Sequence, residues 1–93
     1  MATKKWQTSE TTELFEAILQ LRGIHQAKNF FRDLLTEKEL LEFGRRWRVA
    51  QLLSEGVSYA EIEKQTHMSS TTIARIARWL KKGTGGYQSL LKK

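Results

Sequence analysis

A chain of 93 residues, 40% hydrophobic and 10% aromatic, has the apolar content of one small folded domain and not that of a disordered segment. It contains no cysteine, which excludes disulfides and thiolate metal sites, and no apolar run approaches the roughly 18 residues that a membrane span requires. The formal charge of +6 is unevenly placed: residues 1–44 carry six Lys/Arg against seven Asp/Glu (−1), whereas residues 45–93 carry ten against three (+7).

The opening MATKKWQTSE has no apolar stretch after its lysines and does not read as a signal peptide, so a cytoplasmic location is expected. Proline is absent and strand-like alternation is scarce, which predicts an all-α chain. A first helix is expected over about Ser9–Arg22, with a wide stripe of Leu14, Phe15, Ile18, Leu19 and Leu21, stopped by Gly23. A second, about His25–Leu34, carries Ala27, Phe30, Phe31 and Leu34. Thr36 and Glu39 form a Thr-x-x-Glu capping box that opens a long third helix to about Glu55, where Gly56 ends it. Trp6 and Trp47 are expected to pack as core residues, and Met68 to fill a gap in a turn.

The stretch from Gly56 to Gly83 reads as two helices joined by a tight turn. Ser58 and Glu61 make a second capping box, and Ser69 or Ser70 caps the helix that follows, whose apolar positions are Ile73, Ile76, Ala77 and Leu80. Its other face presents Ser70, Thr71, Arg75, Arg78, Lys81 and Lys82. A polar helix start followed by basic residues suits insertion into a DNA major groove, which is the helix-turn-helix arrangement, here about residues 58–82. The basic half of the chain would attract phosphate polymers by counterion release. An anionic membrane surface would instead need a helix with large apolar residues opposite a lysine face, and the apolar residues of 73–82 are better used as core. Gly83-Thr84-Gly85-Gly86 must be flexible or tightly turned, and Tyr87–Lys93 can form a last short helix with Leu90 and Leu91 inward. Lys92 and Lys93 read as tail charge.

The third to fifth helices together resemble the Trp-repressor-like family of bacterial DNA-binding proteins. The resemblance spans roughly Leu34–Leu80 and rests on LLTEKELLEFGRRWRVAQLLSEGVSYAEIEKQ and its spacing to STTIARIARWL. Gly85-Gly86-Tyr87 and the Ser-Tyr-Ala-Glu-Ile around Tyr59 look like the branch of YerC/YecD-type Trp-repressor-related proteins. The resemblance implies a single all-α domain over residues 1–93, an intertwined homodimer, and transcription regulation through double-stranded DNA. It would also account for the surplus apolar surface of the first and third helices.

By the same resemblance, Arg46 and Arg75 match positions where the founding member holds tryptophan as corepressor, and an arginine there could pair with a carboxylate or stack on an indole. Ile76 and Trp79 stand where small residues would admit that indole. The expectation is therefore an effector pocket (Arg46, Arg75, Ile76, Trp79) partly occupied by Trp79, and DNA binding without L-tryptophan or another cofactor. Ser70, Thr71 and Ala74 match base-facing positions, with Ser69 beside them as a cap. Thr72, Arg75, Arg78, Lys64 and Lys81 are suited to phosphates. Ala60 and Glu63 replace basic residues on the first motif helix, so a different DNA site is implied.

Plainer roles compete at several positions. Arg45 and Arg48 suit a solvated face, Ser69, Ser70 and Thr71 suit capping, and Lys81 and Lys82 suit the helix dipole. His25 and His67 lack neighbours that would build a metal site. There is no nucleophile elbow, phosphate loop or paired acid/base group, so no enzyme is expected. The alternative to a DNA-binding regulator is a helical interaction module whose basic face binds an acidic protein or RNA.

Overall fold

The computed structural model describes residues 4–91, and the tail charge expected of Lys92 and Lys93 lies outside them. Among the described residues every regular element is an α-helix: α1 Ser9–Leu19, α2 Ile24–Leu34, α3 Glu37–Ser54, α4 Tyr59–Thr66, α5 Ser70–Lys82 and α6 Gly86–Leu91. None of these helices is long and apolar enough to cross a membrane. The chain divides into two units, residues 1–37 and 38–93.

In the first unit, Thr8 caps α1: its side-chain oxygen accepts from the Thr11 amide at 3.1 Å, and the Thr8 amide donates back to Thr11 Oγ1 at 2.9 Å. Helix α1 ends at Leu19, three residues before the expected Arg22, because the Gln20 amide closes a tight turn onto the Ala17 carbonyl at 3.0 Å. Gly23 is therefore not the stop of α1. It precedes α2 at φ 111°, a conformation open to glycine and costly for other residues. Trp6 meets Phe15 edge-on at 6.3 Å, but the indole is half-exposed and does not join a buried core. No residue of α1 or α2 is buried, and Leu19 (84%) and Ile24 (65%) lie open to solvent.

The second unit contains the core. Val49, Ala50 and Leu52 of α3 meet Ile62 of α4, Met68 of the turn, and Ile73 and Ile76 of α5, with Trp47, Leu53, Val57, Tyr87 and Leu91 packed around them. Helix α3 stops through a Schellman turn. Gly56 takes φ 82°, its amide reaches the Leu53 carbonyl at 3.0 Å, and the Val57 amide reaches that of Leu52 at 3.1 Å.

Ser58 caps α4 by accepting from the Glu61 amide at 3.2 Å. The return half of the expected box is not made: the Glu61 carboxylate instead accepts from Gln65 Nε2 at 2.9 Å. His67 ends α4 in the left-handed conformation, φ 60° and ψ 21°. The buried Thr66 hydroxyl donates to the Ile62 carbonyl at 2.7 Å and accepts from the Met68 amide at 3.3 Å, tying the turn to α4. Met68, buried in that turn, fills the gap as expected.

Helix α6 folds back after a tight Gly83–Gly85 turn and is pinned to α5 by Gln88 Nε2, which donates to the Leu80 carbonyl at 2.6 Å. Of the two leucines expected inward, Leu91 packs on the core and Leu90 is 76% exposed. Six residues make under two helical turns, so α6 can bury one narrow stripe, and Tyr87 and Leu91, four apart, occupy it.

Candidate nucleic-acid interface

Helix α5 has two faces of opposite character. Ile73, Ile76 and Ala77 are buried, whereas Thr71, Ala74, Arg75, Arg78 and Lys82 recur at helical spacing on the solvent side. The alternatives for the cap resolve onto Ser69, whose Oγ accepts from the Thr72 amide at 3.2 Å and lies 3.1 Å from the Thr72 hydroxyl. These two hydroxyls face one another within the first turn. Ser70 and Thr71 are exposed, and their side chains have no hydrogen-bond partner among the described residues. Two free hydroxyls, one small residue and two guanidinium groups thus follow one another along a single helical face.

Lys64 on α4 and Lys81 on α5 are also exposed, and the C-terminal turn of α5 ends in Lys81 and Lys82. On α3, Arg45 and Arg48 border a separate hollow with Leu40, Leu41, Gly44 and His67, so they do not share the surroundings of Arg46.

The four residues expected in an effector pocket do line one cleft. Arg46 of α3 and Arg75, Ile76 and Trp79 of α5 border a space of about 600 Å³, together with Glu42, Trp47, Thr72, Tyr87 and Leu90. Ile76 belongs to the core and Trp79 stands half-exposed at the edge, so these two side chains wall the cleft and leave space within it. Arg46 Nη2 lies 3.4 Å from Glu42 Oε2, one helical turn earlier on α3, and the Arg46 guanidinium carbon sits 5.7 Å from the centroid of the Phe43 ring. Tyr87 stacks on Trp47 at 6.2 Å.

Glu42, Trp47, Thr72, Tyr87 and Leu90 fall outside the four residues expected to line the cleft. The spacing of Glu42 and Arg46 was available in the sequence. Nothing local connects Trp47 with Tyr87, forty residues apart. Among the described residues no group of three or more His, Asp or Glu side chains could hold a metal ion.

Comparison with known proteins bears on the family and the fold of the chain. The profile of the family described as Trp repressor protein matches residues 9–93. The protein YerC of Bacillus subtilis (strain 168), itself uncharacterised, is 36% identical over 91 residues, covering 98% of this chain and 88% of its own. A crystal structure of a TrpR-like protein from Eubacterium eligens superposes with a TM-score of 0.90 at 36% identity, covering 95% of this chain and 91% of that one. That of a candidate Trp repressor from Staphylococcus aureus does so with a TM-score of 0.88 at 35% identity, over 98% and 91% of the two chains.

Proposed function

The chain belongs to the Trp repressor protein family, a family of helix-turn-helix DNA-binding regulators, and from that premise we propose that it binds a two-fold DNA site as a homodimer and regulates transcription. The observation that carries the reading is the solvent face of α5. The Ser70 and Thr71 hydroxyls bond to no other group among the described residues, Ala74 leaves room for a base edge, and Arg75 and Arg78 follow on the same side. Hydroxyls of this kind bond to several bases and the threonine methyl can meet a thymine methyl, so discrimination is modest. Arg75, Arg78, Lys64 and Lys81 fix the position of the protein on phosphates, with Thr72 beside them.

The dimer is supported by what α1 and α2 leave uncovered. Two helices with no buried residue and with exposed Phe15, Leu19, Ile24 and Leu34 do not recover the entropy of ordering them as an isolated chain. A second copy would cover these residues and bring two recognition helices to half-sites about one helical turn apart. Sedimentation at micromolar concentration should return about twice the 10.8 kDa chain mass, and a 10.8 kDa species would refute the dimer.

DNA binding is further proposed to need no L-tryptophan. Glu42 already answers the Arg46 guanidinium, so a ligand carboxylate would have to displace it. Calorimetry should find no micromolar site for L-tryptophan. The central experiment selects bound duplexes from a random pool, with and without L-tryptophan. An enriched two-fold sequence that survives excess random duplex supports the regulator. A surface for acidic protein or RNA would instead lose its ligand to that competitor.

A further inference from the structure

Trp79 is the one large aromatic side chain on the solvent side of α5, and it is 55% exposed. Arg75, Arg78 and Lys82 lie four before, one before and three after it, and the four side chains together line a shallow hollow of about 420 Å³ on the outer side of α5. The indole N–H, a donor with no acceptor function, donates to no protein group among the described residues. An exposed indole ringed by three cations is a poor place for an apolar protein helix. It suits a polyanion that also offers apolar surface, as a sugar–phosphate strand does.

The position along the helix selects which strand. From Thr71 to Trp79 is eight residues, about 12 Å of helix rise, enough to climb from the floor of a major groove about 8.5 Å deep to its rim. With Ser70 and Thr71 at the base edges, Trp79 comes level with the backbone bordering the groove. We propose that Trp79 is a DNA-contact residue: its N–H donates to a phosphate flanking the base-reading end of α5, its ring lies on the adjoining deoxyribose, and Arg78 and Lys82 hold the phosphates on either side. The inference rests on the duplex-binding reading above and adds a contact that this reading does not include.

The test compares the full-length chain with Trp79→Phe, Trp79→Ala, Arg78→Ala and Lys82→Ala. Each is titrated, at several salt concentrations, onto a duplex from the selected pool and onto one of its single strands. Trp79→Phe keeps a ring and removes the donor, so duplex affinity should fall about tenfold with the salt slope unchanged. Trp79→Ala should fall further. Each basic variant should lower the salt slope by about one.

The proposal is overturned if both Trp79 variants bind the duplex as tightly as the parent. Two other results also overturn it: variants that sediment at a different mass from the parent, which would assign Trp79 to a contact between copies, and an equal loss on the single strand, which would make it a stacking site for unpaired bases. A parent chain that binds no duplex removes both readings, whereas a parent that binds and variants that match it remove this one alone.

Discussion

Trp47 of α3 and Tyr87 of α6 stack with ring centroids 6.2 Å apart and planes inclined by 27°. This pair, with Leu91, fastens the last helix to the helix-turn-helix core, and it closes the end of the cleft that Arg46 and Arg75 line. Offset aromatic pairs contribute roughly 1 kcal/mol beyond the area they bury. Tyr87→Ala should therefore lower the melting temperature by about 5–10 °C at fixed protein concentration, while Tyr87→Phe keeps the stack and most of the stability. Thermal denaturation followed by circular dichroism distinguishes the two.

The cap and its neighbour on α5 should separate stability from binding. Ser69→Ala removes the acceptor of the Thr72 amide and should cost about 1 kcal/mol in urea denaturation, with weaker DNA binding as the first turn frays. Ser70→Ala touches no side-chain hydrogen bond among the described residues, so stability should stay within about 0.5 kcal/mol of the parent while affinity for the selected duplex falls.

Gly83 is needed for close approach. A Cβ added there would fall on the Trp79 carbonyl oxygen and within 2.6 Å of the Trp79 ring. Gly83→Ala should destabilise by about 1–3 kcal/mol, the range of overpacking, and should shift the tryptophan emission because the indole must move. An unchanged spectrum and unchanged melting would show that the α5–α6 turn relaxes at no cost.

His67 holds the turn between the motif helices at φ 60°, which is strained for a side chain with a Cβ. His67→Gly relieves that strain and should stabilise the fold by roughly 0.5 kcal/mol, less the greater freedom glycine has when unfolded. Thr66→Val, at the buried neighbour, should act in the opposite direction. It leaves the Ile62 carbonyl and the Met68 amide without their side-chain partner and should cost about 1–2 kcal/mol. Parallel urea titrations give both signs.

Much of this architecture follows from local information. The helical class, the second helix, the stop at Gly56, the caps at Ser58 and Ser69 and the basic face of α5 all depend on residues within a turn or two of one another, where spacing and capping chemistry act directly. Local information also misled in places. Gly23 looked like the end of α1 because glycine favours positive φ at either side of a turn, and a hydrogen bond from the Gln20 amide decided the matter. The capping box at Glu61 was half-made because Gln65, one turn on, competes for the same carboxylate.

The chain alone specifies a set of parts: helices, caps, an apolar excess in the first and third helices, and a helix α5 with hydroxyls at its start and cations along it. The tertiary structure decided which of those parts meet. That Trp79 stands at the edge of the cleft and Ile76 goes into the core, that Leu91 packs where Leu90 does not, and that Tyr87 reaches Trp47 all depend on the angle at which the Gly83–Gly85 turn returns α6 onto α5. That angle is set by packing between side chains far apart in the chain, and no periodicity along the chain encodes it.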